Sequence, residues 1–389
     1  MLFSVTYAIR LHERDIDGFS GYQMIRSHVL RGNSQSWYKY PSVSAPKYLS
    51  FSFTITTTSA NPSLSYSYTH IILFHIINMK SSIVAANALL MASAVTAAPL
   101  VAKRDAASDA VILNYALTLE HLEAEFYRQG LANYTEADFQ KAGFNNSMFY
   151  QDLKTTAADE VSHVAFLTAA LKAAGAPATA QCTYAFPSTD AASFMAVAQI
   201  LEGVGVSAYL GAAASITNKG YLTAAGSILT TEARHSAFIR GSRGEVPFAS
   251  PYDIPLDFDQ VYSLAAPFIA SCPSTNPTLP VKAFPMMTAP TGMATQGDKV
   301  TFDLGKDVKI PTGGLYIAWP LVTGPVFQSA IIDMEAMTAT CTVPEGAYGS
   351  SGQSYAILTT NATMLTDDNT LAGPAVLEVA DPLFPPYKN

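Results

Sequence analysis

Two short stretches of the chain carry the same pair of metal-capable side chains. Asp159-Glu160-Val161-Ser162-His163 and Thr231-Glu232-Ala233-Arg234-His235 each place a carboxylate and an imidazole three residues apart. On a helix that spacing sets both groups on one face, a turn apart, where they can address a single object. The surroundings repeat too: Glu160-x-x-His163-x-Ala165-Phe166-Leu167 matches Glu232-x-x-His235-x-Ala237-Phe238-Ile239. Upstream of each lies a second matched element, Leu119-Glu120 with Tyr127 and Leu201-Glu202 with Tyr209. The order is therefore Glu, Glu-x-x-His, Glu, Glu-x-x-His, with separations of 40 and 30 residues.

Four carboxylates and two imidazoles can bind two divalent ions, with two Glu bridging and each His terminal on one ion. One Glu from each of two helices, with Glu-x-x-His from each of two others, is the ligand set of a dinuclear carboxylate-bridged site in a four-helix bundle. The expected metal ligands are Glu120, Glu160, His163, Glu202, Glu232 and His235. Their hardness suits iron or manganese; zinc fits but offers no redox chemistry. Glu123, one turn from Glu120, reads either as an extra ligand or as an acid bonded to the ligands. Tyr127 and Tyr209 are expected to be buried, with hydroxyls on ligand carboxylates; a radical role is the alternative. His121 points about 100° away from Glu120, towards the surface or the edge of the site. Asp159 faces away from Glu160 and is expected in solvent.

Through LEHLEAEFY (119–127), DEVSHVAFL (159–167), LEGVGVSAYLGAA (201–213) and EARHSAFIRG (232–241), the chain resembles the ferritin-like superfamily. Within it, it is similar to the secreted fungal stress-response and plant desiccation-related ferritin-like proteins, over roughly 107–285. Superfamily members store iron, oxidise it with dioxygen or peroxide, destroy peroxide, or functionalise substrates, so fold alone does not select a reaction. The resemblance implies a secreted protein with two iron or manganese ions, running redox chemistry on peroxide or dioxygen in connection with stress. The alternative is a non-catalytic metal-binding or structural protein of the cell envelope. Peroxide, dioxygen or metal ions are the expected partners, and a homo-oligomer or a cell-wall contact stays open.

The elements that must hold these residues point to an α+β chain: a ferritin-like four-helix bundle (105–272), a Pro-rich linker (273–285) and a β-sandwich-like domain (286–389). Apolar periodicity and end signals predict helices from Ser108 or Asp109 to Gly130, about 147–174, 189–218, 221–240 and 257–271, with a helical turn at 135–138. Gly203, Ser207 and Gly211 form a row of small residues against which a neighbouring helix should pack closely. Strands are expected at 299–304, 315–320, 336–343, 354–358 and 375–379, between Gly-rich turns. This last region has no His, so a blue-copper site, which needs two His with a Cys, is excluded there.

The first 78 residues show no sustained period and read as an upstream, disordered extension. Met79-Lys80, an apolar run from Ile83 to Val95 and small residues up to Ala97 have the grammar of a signal peptide (79–97); an internal signal anchor is the other reading. A short propeptide (98–104) would then end at Lys103-Arg104. Residues 105–389 carry 13 Lys+Arg against 27 Asp+Glu, a net −14, which argues against nucleic-acid or anionic-membrane binding. No stretch beyond 98 reads as a membrane span. Asn133, Asn145 and Asn361 head glycosylation sequons. The three Cys allow three pairings, and the loop positions of Cys182 and Cys272 favour that pair in an oxidising compartment.

Overall fold

A computed structural model of the chain describes residues 50–57, 66–73, 108–346 and 351–380. The chain divides into two units, Met1–Ser93 and Ala94–Asn389. In the first, β1 (Ser50–Thr57) and β2 (Tyr66–Leu73) pair as an antiparallel hairpin. The expected upstream extension (1–78) includes this strand pair; the rest of it lies outside the described residues. Ser and Thr alternate with Phe and Ile across Ser50–Thr57, a period of two that suits a strand. The signal segment (79–97) and the propeptide (98–104) lie outside the described residues.

The second unit begins with the helices. α1 (Asp109–Asn133), α3 (Phe149–Ala173), α4 (Ala191–Ala212) and α5 (Lys219–Ser242) form the bundle, with a short α2 (Glu136–Lys141) after α1. α1 lies along α3, and α4 along α5. The starts are chemically specified. Thr135 and Asp190 make capping boxes with Asp138 and Ser193, and Asn218 accepts from Gly220 N and Tyr221 N. Such caps satisfy amides that the first helical turn leaves without partners. One end of the bundle is filled by aromatic rings, with Phe126 stacked on Phe194 at 4.4 Å between centroids. Gly130 makes that possible, because a Cβ there would sit 2.0 Å from the Phe194 ring.

α4 is the central helix, and the residues 191–215 have the length and mean hydropathy (1.4) of a membrane span. The sequence reading counted no such stretch; here 67% of that window is buried within the protein, as a helix apolar on all sides of a bundle core would be. Its row of small residues does not meet a helix as expected. Instead Gly211 faces the Leu256 carbonyl, where a Cβ would lie at 1.8 Å, and Ser207 Oγ sits 3.0 Å from the Tyr355 hydroxyl. At Gly203 and Gly211 this approach leaves no room for a Cβ, which would meet Gln353 at 2.4 Å and the Leu256 carbonyl at 1.8 Å.

α6 (Phe258–Ala265) is shorter than the expected 257–271. Pro267 allows only a 3₁₀ turn, after which β4 (Ile269–Ser271) pairs with β3 (Thr183–Tyr184) inside the crossover between α3 and α4. This pairing sets Cys182 beside Cys272, and the two are joined by a disulfide across 90 residues; Cys341 is a buried free thiol. The following segment runs as a strap, with Lys282 N on Asp259 and Phe284 N on Ser263.

Two sheets then face each other. One has the order β10 (Ile331–Asp333), β11 (Thr338–Thr342), β7 (Lys299–Leu304), β5 (Met287–Thr288). The other has β6 (Met293–Thr295), β13 (Thr370–Ala380), β12 (Gly352–Thr359), β8 (Tyr316–Trp319), β9 (Val326–Ser329). Every pairing is antiparallel except β6 with β13. Alternate residues of β7 turn inward, and Phe302 meets Trp319, Ile317 and Leu358 of the facing sheet in one core. The chain is thus α+β, helices followed by a β-rich region.

The β-rich region is joined to the bundle by charge and hydroxyl contacts. Arg240 of α5 makes a two-pronged pair with Glu378 of β13 and also donates from Nε to Val246 O. Tyr355 and Gln353 of β12 donate to the carbonyls of Gly203 and Ile200 on α4.

Candidate metal centre

Inside the bundle, one face from each long helix points at the same small volume. α1 brings Glu120, α3 brings Glu160 and His163, α4 brings Glu202, and α5 brings Glu232 and His235. All six are buried, the four carboxylates at 0–1% exposure. They form two overlapping sets of four, Glu120/Glu160/His163/Glu232 and Glu160/Glu202/Glu232/His235, each with donor atoms within 4.8 Å of one another. Glu160 and Glu232 belong to both. His163 Nδ1 lies 3.2 Å from Glu120 and 3.1 Å from Glu232, while His235 Nδ1 lies 3.0 Å from Glu160 and 3.4 Å from Glu202. The two rings are 6.3 Å apart between centroids.

The remaining polar groups hold the six in place. The Tyr127 hydroxyl donates to Glu202 Oε1 and the Tyr209 hydroxyl to Glu120 Oε1. Each tyrosine therefore serves the carboxylate of the other helix, not the one on its own. His235 Nε2 is hydrogen-bonded to Asp159 Oδ2 at 3.1 Å. Asp159 is thus not a bystander in solvent as the sequence suggested; although 43% exposed, it reaches across from α3 to fix the outer nitrogen of a ring on α5. Its role depends on how α3 and α5 cross, which helical spacing along α3 alone does not encode. Thr231, the counterpart of Asp159, instead bonds Ser227 O. His121 is half-buried, with Nε2 3.1 Å from Thr179 O, away from the cluster.

Glu123 is also buried, and Gly205 gives it room: a Cβ there would lie 3.0 Å from Glu123 Oε1 and 3.1 Å from Glu232 Oε2. Glu123 is outside both four-residue sets. Asn133 and Asn145 are exposed and Asn361 is half-buried, its Oδ1 accepting from Thr363 and Met364.

Electrostatics show what such a cluster needs. Burial pushes the Glu120 carboxyl up to about 7, and burial with carboxylate neighbours pushes Glu123 and Glu232 well above the usual range. Glu160 ends at about 2, because the two imidazoles outweigh its own burial. Burial works against charging His163 and His235, yet the carboxylates around them raise the rings to about 12 and 11. Without cations, protons must neutralise the cluster.

The hydrogen-bond inventory fits metal. Among the described residues, eight buried atoms of this cluster have no hydrogen-bond partner: both oxygens of Glu160 and of Glu232, one each of Glu120 and Glu202, and Nδ1 of both histidines. Buried polar atoms are nearly always satisfied in folded proteins, so eight that converge are compatible with bound metal. Glu160 and Glu232, with both oxygens without hydrogen bonds, would be the carboxylates able to serve both donor sets, and Glu120 and Glu202 would each serve one.

Comparison with known proteins agrees with this geometry. Residues 108–245 match the family model of the ferritin-like domain. The chain is 27% identical over 175 residues to Protein rds1 of Schizosaccharomyces pombe, a match covering 45% of this chain and 42% of that protein. The chain thus matches less than half the length of this curated relative. The helical segment that supplies all six converging donors is accordingly similar in sequence to the ferritin-like domain.

Proposed function

We propose that this is a secreted protein holding two iron or manganese ions on Glu120, Glu160, His163, Glu202, Glu232 and His235, with redox chemistry on peroxide or dioxygen linked to stress. One observation carries the reading. Glu160 and Glu232, common to both donor sets, leave both oxygens unbonded, whereas Glu120 and Glu202 each give one oxygen to a tyrosine and leave one. When bound, the ions supply one-electron redox chemistry towards the small oxidant. The chain's own residues bind, orient and shield. Tyr127 and Tyr209 fix the rotamers of Glu202 and Glu120, and Asp159 fixes the His235 ring with its Nδ1 inward, as a partner on the outer nitrogen of a ligating His does. The aromatic stack around Phe126 and Phe194 excludes water from one end. Secretion is supported by the signal-like segment 79–97, the sequons and the disulfide.

The test begins with the metal content of the purified chain by elemental mass spectrometry. Two iron or manganese ions per chain, followed by consumption of peroxide or dioxygen, is the expected result. No bound metal under metal-replete conditions would refute the centre, and metal without turnover would leave a binding or structural role.

A further inference from the structure

Where the bundle meets the β-rich region, a hollow of ≈ 200 Å³ opens between α4, α5, the stretch 247–254 and the start of β12. Gly203, Ala233 and Ser236 line its helical side. Each follows one of the six donors by a single position, Glu202, Glu232 and His235. One position is about 100° round a helix, so the hollow lies outside the metal cage and is a separate feature. Arg240 is the cation of its wall, and that charge is already spent, both prongs on Glu378 and Nε on Val246 O. Tyr355, Ser207 and Ser250 are likewise tied within the protein. Among the described residues, Asp253, Ser236 and Ser351 have no partner for their side chains. Two aromatic rings stand at the mouth, Phe248 at 77% and Tyr252 at 46% exposure.

These groups define a ligand by its complement. An anion would meet no uncommitted positive charge and would face the Asp253 carboxylate. A hydrocarbon would leave the carboxylate and both hydroxyls without partners. An alkylamine would engage the carboxylate alone, because a serine hydroxyl both donates and accepts and an ammonium only donates. A sugar ring uses every group. Its hydroxyls donate to a carboxylate and exchange hydrogen bonds with serines, while its C–H faces lie against the electron-rich faces of aromatic rings. A few placed polar groups in a largely apolar wall are what orients a small ligand. At roughly 10–15 Å³ for each water-sized group, the hollow has room for one such ring. We propose that it is a carbohydrate-binding site that takes a single hexopyranose unit, with hydroxyls on Asp253, Ser236 and Ser351 and a C–H face against Tyr252 and Phe248.

The probes are the methyl glycosides of glucose, mannose and galactose, as both anomers, with butylammonium as the cationic control. Each is offered to the full chain and followed by saturation-transfer NMR and titration calorimetry. At least one glycoside should bind with a dissociation constant on the order of 1 mM, the weak affinity open to a ligand this small. Asp253→Asn keeps the shape of the side chain and removes its charge, and should weaken that binding about 10-fold, the worth of a hydrogen bond to a charged group. Tyr252→Ala trims an exposed ring and should weaken it several-fold; it carries the test if the Asp253 variant does not fold. No glycoside binding at concentrations well above that constant would overturn the proposal. So would glycoside binding that both variants leave unchanged, which would place the sugar elsewhere. Butylammonium binding more tightly than every glycoside would overturn it as well, making the hollow a cation site. None of these readouts needs bound metal, so the hollow and the metal centre stand or fall separately.

Discussion

Stripping the metal should reverse the sign of the protein's pH dependence. In the metal-free fold, Glu120 is raised from 4.5 to about 7, and His163 and His235 from 6.5 to about 12 and about 11. Unfolding returns all three to ordinary values. Above pH 4.5 the folded, metal-free chain therefore binds more protons than the unfolded one. Its stability falls as pH rises, first through the Glu120 window (4.5 to about 7), then from 6.5 upward as the imidazole contribution is lost. Glu160 opposes this only in acid, since its depressed value gives stability that disappears as pH drops from 4.5 towards about 2. A net excess of just one proton gives a slope of about 1.4 kcal/mol per pH unit. For a domain of this size that is roughly 3–6 °C in Tm per pH unit. Metal binding requires the same ligands without their protons, so the loaded protein should gain stability as pH rises from about 5 to 7. Calorimetric melts of chelator-treated and reconstituted protein at pH 5, 6, 7 and 8 test both slopes. Parallel slopes, or a metal-free Tm that stays flat or rises between pH 6 and 8, would refute the argument that protons replace cations in this cluster.

Other expectations follow from single contacts. Glu160→Ala removes a donor common to both sets and should lose at least one metal per chain, whereas Asp159→Asn should retain both but weaken the His235 position by about 10–100-fold; elemental analysis across a chelator series reads the difference. Arg240→Ala leaves the half-buried Glu378 without its ion-pair partner and should cost about 1.5–3 kcal/mol in denaturant melts; a loss under about 0.5 kcal/mol would mean the clasp between bundle and sheet carries no weight. Reduction of Cys182–Cys272 reopens a 90-residue loop and should lower stability by up to about 4–5 kcal/mol, measured as the shift in urea midpoint between oxidised protein and protein held in reductant.

The parts of this molecule that were legible in sequence are those in which spacing along one helix is itself the geometry. Glu160 with His163, and Glu232 with His235, share a face because three residues make nearly one turn. The strands β7 and β11 were legible for the same reason, each having enough residues to show a period of two. Contacts between elements were not. Tyr127 lies two turns beyond Glu120, yet its hydroxyl serves Glu202, because the reach of a tyrosine is set by the neighbouring helix. Asp159 was misread for the same reason. β5, β6 and β10 have two or three residues each, too few for alternation to stand out. The pairing of β4 with β3 depends on a partner strand 85 to 88 positions earlier in the chain, Ile269 standing opposite Tyr184 by way of a register shift, and Thr183 opposite Ser271.

The row Gly203, Ser207, Gly211 has a consequence for tracing the ancestry of this architecture. These residues are small because Leu256 and the strand carrying Gln353 and Tyr355 press against the central helix. A bundle that evolved alone would have had no reason to keep that side of the helix bare, and losing the β-rich half would leave a trench of unprotected backbone. A side chain at Gly203 would have to displace Gln353 of β12, so substitutions at these two positions are coupled across the seam. In other chains with the paired Glu-x-x-His pattern, a bare row at the same offset from the third glutamate would mark those that carry a sheet in this position, even where the sheet's own sequence has drifted beyond recognition.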